Sequence, residues 1–266
     1  MVNVFANGIW KSGNHLLVKI LQQLSIADAK LGIAASLMNG RGYIARQIIR
    51  GAWFDPDPVM VGLEKATNIS TIWLSRRLSK MSGVYVGGHA AYSERLLSLL
   101  EANNFKSIQI VRDPRDIVVS FAYWIETRPD FFLYPYFAPL SVEARMRLLI
   151  EGSVDTSVPV DSIATVMDRS YGWLTNAGKV LVVRFEDLVG EKGGGSYESQ
   201  LQSIKSICRW LKKDESLAAS IGENLFGGTN TFRKGKAGSW KEEMPESLQD
   251  LFDNKVGTRL KLFQYD

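Results

Sequence analysis

The chain has 266 residues, 45% of them hydrophobic and 23% charged, with a net charge of +4. This composition excludes a disordered chain, and the charge is too small and too dispersed to favour a nucleic-acid partner. The single cysteine, Cys208, excludes an internal disulfide and makes a reducing compartment the default. No apolar run approaches the ~18 residues of a membrane span, and no signal peptide is visible. We therefore expect a cytoplasmic protein with no membrane partner.

Apolar runs of strand length alternate along the chain with longer stretches of helical periodicity. Four runs are predicted to be strands: residues 2–6, 84–87, 107–111 and 179–184. Six amphipathic stretches are predicted to be helices: residues 14–24, 72–81, 93–102, 115–124, 142–151 and 161–177. The alternation predicts an α/β fold, a mainly parallel central sheet flanked by helices, and we treat residues 1–266 as one domain. Ligands of such sheets bind beyond the carboxyl ends of the strands.

The first motif is FANGIWKSGNHLL at residues 5–17, where a predicted strand leads through a Gly/Ser/Lys turn into a helix. This geometry holds a phosphate through backbone N–H groups, the helix dipole and a lysine, and it predicts a P-loop-like nucleotide-binding fold. The match to G-x-x-x-x-G-K-[ST] is partial. Gly8 and Gly13 are correctly spaced, but Asn14 replaces the lysine, and Lys11 precedes the second glycine. Taken alone, an ordinary loop is an equal alternative.

The second motif is IQIVRDPRDIVVS at residues 108–120. The strand ends just before Arg112, and Asp113 followed by proline is a typical start of a helix. Ser120 lies about two turns into that helix, so an anion beside it can contact both the Arg112 guanidinium and a hydroxyl. The alternative is that Arg112 and Arg115 simply pair with neighbouring acids.

The third motif is TFRKGKAGSWK at residues 231–241, which combines basic side chains with two glycines. Cationic groups and exposed backbone amides suit a phosphate, and the flanking Phe232 and Trp240 can anchor the loop or contact a base. The alternative is a solvated basic loop with Trp240 packed on the core. By contrast, the glycine run at residues 193–195 is predicted to be a flexible surface loop.

Together, the three segments resemble the signature regions of the PAPS-dependent sulfotransferases, which use 3′-phosphoadenosine-5′-phosphosulfate (PAPS) as sulfuryl donor. That family has approximately PKSGTTW, RDPRDxxVSxxxF and RKGxxGDW. This chain has WKSGNHL, RDPRDIVVSFAYW and RKGKAGSW in the same order, near its start, middle and end. The resemblance covers most of the chain and implies an enzyme with PAPS as co-substrate, 3′-phosphoadenosine 5′-phosphate (PAP) as product and no metal. Two histidines and one cysteine offer no metal-binding pattern either.

The resemblance implies three groups of donor-binding residues. The loop around the 5′-phosphosulfate comprises Lys11, Ser12, Gly13, Asn14 and His15. The contacts to the 3′-phosphate comprise Arg112, Ser120, Arg233, Lys234 and Gly235. Phe185 takes the place of an adenine-contacting tyrosine. Leu16 stands where an adenine-stacking tryptophan is frequent, and Phe226 or Phe232 is predicted to compensate.

Two residues are implied to be catalytic. Lys11 takes the place of the lysine that stabilises charge on the leaving phosphate. His89 follows the predicted strand at residues 84–87 and matches the histidine that removes the acceptor's proton, a task that suits an imidazole because its ordinary pKa lies near operating pH. A lone histidine is otherwise more often structural. Gly87 and Gly88 depart from the lysine-containing residues that precede this histidine in the family.

The acceptor is predicted to be a small organic molecule, such as a natural product, that offers a hydroxyl or an amine. Its pocket is expected from residues 29–81 and 125–165, whose aromatic members include Trp53, Phe54, Phe131, Phe132, Tyr134 and Tyr136. Four carboxylates in these segments leave room for a cationic acceptor: Asp55, Asp57, Glu126 and Asp130. The oligomeric state is open, with a homodimer as one option. Two other functions also stay open: a nucleotide-dependent phosphotransferase on a related fold, and a non-catalytic anion-binding module.

Overall fold

The structure, a computed structural model of the chain, describes residues 2–38, 43–51, 53–62, 66–153, 160–227 and 233–266. Its centre is a five-stranded sheet in the order β2-β5-β1-β6-β7, in which every paired strand is parallel. These strands are β1 (Asn3–Gly8), β2 (Ala27–Ile33), β5 (Val84–Gly88), β6 (Phe105–Val111) and β7 (Val180–Arg184). An antiparallel hairpin joins β3 (Val59–Val61) to β4 (Thr67–Ile69).

Thirteen α-helices are found among the described residues. They are α1 (Asn14–Gln23), α2 (Tyr43–Arg50), α3 (Thr71–Leu78), α4 (Glu94–Ala102), α5 (Pro114–Trp124), α6 (Tyr134–Phe137), α7 (Val142–Glu151), α8 (Ile163–Tyr171), α9 (Phe185–Leu188), α10 (Tyr197–Trp210), α11 (Ala218–Glu223), α12 (Trp240–Glu243) and α13 (Glu246–Leu262). Short 3₁₀ turns cover Ala35–Leu37, Ile125–Thr127, Glu191–Gly193 and Glu215–Leu217. None of the helices within the described ranges is long and apolar enough to cross a membrane.

The sheet is covered on both faces because alternate residues of its strands point to opposite sides. Val4 and Ala6 of β1 pack with α1 and α10 on one face. Phe5, between them, packs with α3 and α4 on the other face. A third cluster joins α5, α7, α8 and α13 beyond the carboxyl end of β6. Since β1 is the middle strand, the loops that follow β1, β5 and β6 all lie at one edge of the sheet.

The predicted α/β fold with a parallel central sheet is confirmed, and all four predicted strands are present within two residues at each end. The edge strand β2 was not predicted, because it is largely exposed and carries Asp28 and Lys30 instead of an apolar run. The helix predicted at residues 161–177 is shorter, Ile163–Tyr171. It ends at Gly172, where a Cβ atom would lie only 2.0 Å from the Tyr92 ring.

Candidate active site

The three motifs meet at one cavity beyond the carboxyl ends of β1, β5 and β6. The cavity encloses about 1110 Å³, including its open mouth. The predicted site residues that line it are Lys11, Gly13, Asn14, His15, His89, Arg112, Ser120, Phe185, Phe226, Arg233, Lys234 and Gly235. Ser12, in the loop between β1 and α1, is fully buried and does not line the cavity, and Phe232 lies outside the described residues.

The β1–α1 loop has the compact backbone expected of a phosphate turn. Lys11 and Gly13 adopt left-handed conformations, with φ of 66° and 105°. Gly13 is required here, because a Cβ atom at this position would lie 2.6 Å from the Phe185 ring. The Ser12 hydroxyl and the Asn14 side-chain oxygen are buried, and no hydrogen-bond partner for either is found among the described residues. Buried polar groups are normally satisfied, so this loop is built to receive a polar ligand.

Arg112 connects the three motifs. Its guanidinium donates to the carbonyl oxygen of Lys11 at 3.2 Å and to that of Lys236 at 2.9 Å. It also stacks over the Phe185 ring, 4.1 Å from the centroid. The Arg112 Nε is buried and has no partner within the described part of the chain, which leaves one donor for a ligand. The guanidinium therefore links the first motif to the third at the cavity that Arg112 lines.

The carboxylate of Asp116 positions the third motif. Its two oxygens accept hydrogen bonds from the backbone N–H groups of Gly238, at 2.7 Å, and Trp240, at 3.0 Å. Arg115 does not reach the cavity: it forms an ion pair with Asp113, which also caps α5. The alternative prediction for the second motif, that the arginine pairs with a neighbouring acid, is thus confirmed for Arg115.

The glycine run at residues 193–195, predicted to be a flexible surface loop, is only partly at the surface: Gly194 is exposed, but Gly193 is buried. The buried Gly193 accepts a hydrogen bond from the Ala237 N–H at 2.9 Å. A Cβ atom on Gly193 would lie 2.7 Å from the Gly235 carbonyl oxygen, and one on Gly195 would lie 2.4 Å from the Glu186 carbonyl oxygen. Glycine is needed here because two backbones approach closely, a requirement that composition alone does not reveal.

Glu243 is a site residue that the sequence analysis missed. It forms a bidentate pair with Arg233, at 2.6 and 2.9 Å, and a second ion pair with Lys234 at 3.3 Å. Burial acts to raise the pKa of Glu243, but its hydrogen bonds and charge interactions with the two cations prevail and lower it. An anion that approaches Arg233 and Lys234 therefore competes with a carboxylate. This pair could not be predicted from the sequence, because Arg233 and Glu243 are ten residues apart and come together only through the turn at α12.

His89 and Lys11 both line the cavity. The His89 Nδ1 lies 2.7 Å from the Gly8 carbonyl oxygen, so in the neutral imidazole Nδ1 carries the proton and Nε2 is an acceptor. Burial and the neighbouring charges of Arg112, Arg233 and Arg128 lower the pKa of Lys11 to about 7. Partial desolvation and the charge of Lys11 likewise lower the pKa of His15.

Aromatic side chains form one wall of the cavity. These are Trp10, Phe121, Trp124 and Phe131, with adjacent rings between 4.5 and 6.0 Å apart. The Lys11 Nζ lies 5.0 Å from the Trp124 centroid, so this lysine contacts the aromatic wall of the cavity.

Most of the acceptor segments expected from the sequence lie elsewhere. Among their described residues only Phe131 lines the cavity, and Trp53 and Phe54 are exposed on the surface. None of the four expected carboxylates lines it either. Instead, Asp55 accepts from the Thr71 N–H at the start of α3, whereas Asp57, Glu126 and Asp130 pair with Arg95, Arg145 and Arg128. Across the described residues, no group of three or more His, Cys, Asp or Glu side chains is arranged to hold a metal ion.

No family model and no curated protein sequence matches this chain. Solved structures do match it over its whole length. Mouse sulfotransferase SULT7A1 complexed with PAP has a TM-score of 0.60 and 17% identity, covering 100% of this chain and 89% of that one. Retinol dehydratase matches in complex with androsterone and inactive cofactor PAP (TM-score 0.61, 14% identity, 99% and 81% coverage) and in a complex with retinol and PAP (0.62, 14%, 99% and 82%). The chain therefore has the sulfotransferase fold, which confirms the resemblance of its three motifs at the level of the fold.

Proposed function

We propose that the protein transfers the sulfuryl group of PAPS to a hydroxyl of a small organic acceptor. The observation that carries the proposal is the meeting of Lys11, His89 and Arg112 at one cavity. We treat residues 1–266 as one domain, and the buried, unpaired Cys208 is consistent with action in the cytoplasm.

The residues around the cavity fit the two anionic ends of PAPS. The buried, unpartnered Ser12 hydroxyl and the start of α1 are suited to the 5′-phosphosulfate. The unpartnered Nε of Arg112 and the Ser120 hydroxyl are suited to the 3′-phosphate. Phe185, already stacked on Arg112, and Phe226 offer apolar faces for adenine. PAPS supplies an activated sulfur–oxygen bond when bound.

In the reaction we propose, the His89 Nε2 accepts the proton of the acceptor hydroxyl. The acceptor oxygen forms a bond to sulfur while the bond from sulfur to the bridging phosphate oxygen breaks. Protonated Lys11 stabilises the negative charge that develops on that oxygen, and His89 ends as imidazolium. Positioning and electrostatic stabilisation then supply most of the acceleration.

The acceptor side of the cavity favours a neutral or acidic molecule. Its wall is aromatic, and all charged residues that line it, among those described, are cationic or histidine. A protonated amine would meet repulsion from Lys11 and Arg233, so we favour O-sulfation over N-sulfation. A natural product with an aromatic or hydrophobic body and one hydroxyl fits this description.

The decisive experiment compares donors. We expect PAP to raise the melting temperature strongly and Mg-ATP to leave it unchanged. The reverse result would favour a phosphotransferase and overturn the proposal. Incubation with PAPS and a panel of hydroxylated acceptors, read by mass spectrometry, should then reveal a product heavier than the acceptor by the mass of one SO₃ group, together with PAP. Binding of PAP without turnover of any acceptor by a protein with intact His89 would favour an anion-binding module.

A further inference from the structure

A buried polar network lies beside the turn that carries His89. Asn7, in the middle strand, is 1% exposed, and Gln109, its partner in the pairing of β1 with β6, is fully buried. The Asn7 Nδ2 donates to the Gln109 Oε1 at 2.8 Å, and the Gln109 Nε2 donates to the Ser170 hydroxyl at 3.4 Å. The interior of a parallel sheet is usually apolar, and a buried amide is costly unless its hydrogen bonds are made. An amide at Asn7 therefore calls for a reason beyond packing.

The Asn7 amide contacts both polar backbone groups of Ala90. Its Oδ1 accepts from the Ala90 N–H at 2.8 Å, and its Nδ2 donates to the Ala90 carbonyl oxygen at 3.1 Å. These two contacts fix the orientation of the amide, because a backbone N–H can only donate and a carbonyl oxygen can only accept. The pairing of β1 with β5 ends at Asn7 and Gly88, so the Asn7 side chain extends it to a residue beyond the strand.

His89 lies between the end of β5 and the residue that Asn7 holds. Its own N–H donates to the carbonyl oxygen of Ile33 in β2 at 3.2 Å, and its Nδ1 lies 2.7 Å from the carbonyl oxygen of Gly8. Asn7 and Gly8 are consecutive residues, so one dipeptide of β1 contacts both the His89 ring and the backbone that follows it. A shift of Ala90 would consequently move the imidazole away from Gly8.

The glycine before His89 leaves room for this arrangement. A Cβ atom on Gly88 would lie 2.7 Å from the Phe5 ring and 3.0 Å from the Asn7 Oδ1. A side chain at residue 88 would thus press on the oxygen atom that accepts from Ala90. Gly88, where the chain departs from the family pattern, is therefore matched to Asn7.

We propose that Asn7 is a positioning residue for the His89 base: it fixes the turn at Ala90, so that the imidazole keeps its contact with Gly8 and its place in the cavity lining. Asn7 does not line the cavity itself, so it acts through His89 and not through the donor. The proposal rests on the role of His89 in the proposed sulfuryl transfer. A displacement of about 1 Å in a catalytic group can lower a rate about 100-fold, so such a support has a measurable effect.

Asn7→Leu tests this role, because leucine has a similar volume and makes neither contact with Ala90. We expect kcat to fall by about 10- to 100-fold, with PAP affinity measured by calorimetry unchanged. Asn3→Leu is the matched control. Asn3 is also a buried asparagine of β1, and its amide contacts the backbones of Met81 and Val84 at the opposite end of the strand. The control should lower the melting temperature to a similar extent and leave kcat unchanged.

A double-mutant cycle separates positioning from general damage. In a His89→Ala background, Asn7→Leu should change the residual kcat by less than about twofold, because no imidazole is left to position. If Asn7→Leu does not fold, Gln109→Met takes its place. This variant leaves both contacts with Ala90 and removes the bond that holds the Asn7 amide. Its kcat should be about three- to tenfold lower, and the loss should again vanish in the His89→Ala background.

Nitrogen NMR of the histidine rings tests the same contact without any turnover. The chain has two histidines, so the spectrum of His15→Gln assigns the His89 signals. In the wild type and in Asn3→Leu, the neutral His89 ring should carry its proton on Nδ1. In Asn7→Leu we expect a mixture of the two tautomers, because the ring is no longer held at Gly8.

Three results would overturn the proposal: an unchanged His89 spectrum in Asn7→Leu, an equal loss of kcat in Asn3→Leu, or a loss that persists in full in the His89→Ala background. Failure of the proposed function has a different signature. If the wild type transfers no sulfuryl group while Asn7→Leu alters the His89 spectrum, sulfuryl transfer is rejected and the positioning of His89 by Asn7 is retained.

Discussion

The Nδ1 atom of His89 lies 2.7 Å from the carbonyl oxygen of Gly8, the last residue of the central strand. Because a carbonyl oxygen can only accept, the proton of the neutral imidazole resides on Nδ1. The other nitrogen, Nε2, is then an acceptor, and His89 lines the cavity. One backbone contact thus sets both the tautomer and the position of the proposed base.

Replacing His89 with asparagine should separate these two effects. Asparagine retains a donor near the position of Nδ1, so the bond to Gly8 can persist, but it has no atom that replaces Nε2. We expect kcat to fall by about 10²–10⁴-fold while PAP affinity changes little. His89→Ala, which loses both nitrogens, is the comparison. Near-normal turnover by the asparagine variant would remove His89 from the mechanism.

The lowered pKa of Lys11, about 7, predicts a proton uptake when a polyanion binds. At about pH 8 the free protein holds Lys11 mostly neutral, and the phosphates of PAP favour its charged form, so binding should take up a proton. PAP affinity should therefore decline as pH rises through and above 7. Calorimetry in buffers of different ionisation enthalpy measures the uptake. Lys11→Arg should abolish it, whereas an unchanged uptake in this variant would assign it to another group.

The same lysine predicts a stability effect. Its pKa is lower in the folded chain than the ordinary value of 10.5. Between about pH 7 and pH 10.5 the unfolded chain binds a proton that the folded chain does not, so this group's destabilising contribution diminishes as pH rises. Lys11→Met removes that contribution. The stability difference between variant and wild type, from urea unfolding, should favour the variant most below pH 7 and shrink towards pH 10; a constant difference would contradict the prediction.

Asp116→Asn should loosen the third motif. The change leaves one side-chain oxygen to serve the N–H groups of Gly238 and Trp240 and removes the charge that faces Arg112 at 3.7 Å. We expect a loss on the order of 1–3 kcal/mol in the free energy of unfolding, together with weaker PAP binding. Urea unfolding and calorimetry measure both. Asp253→Asn, at an exposed position of α13, is the matched control and should change neither.

Glu243→Gln should strengthen PAP binding, because it removes the carboxylate that occupies Arg233 and Lys234. The pairs are partly exposed, so we expect a gain of about three- to tenfold, largest at low salt. The neighbouring Glu242→Gln is the control of equal charge change. Weaker binding in the Glu243 variant would instead mean that the carboxylate orients the two cations for the ligand.

The sequence predicted the parallel sheet and most of the cavity lining, because buried parallel strands read as apolar runs and the three motifs are contiguous. What it could not predict depends on contacts between distant segments. The edge strand β2 lacks an apolar pattern, and Glu243 acquires its role only when α12 returns it to Arg233. The aromatic wall of the cavity was not predicted: three of its residues, Trp10, Phe121 and Trp124, lie inside the motifs and outside the segments from which the acceptor pocket was expected.

The contact between Gly193 and the third motif has a consequence for mutational surveys. Any side chain at residue 193 would push against the backbone of Gly235, so substitutions there should lower donor affinity without removing a ligand contact. The backbone of Gly193 packs against Gly235 and accepts a hydrogen bond from Ala237, and it thereby fixes the conformation of the basic segment. A functional map drawn from substitution data alone would thus assign to the donor site a residue that has no side chain with which to touch it.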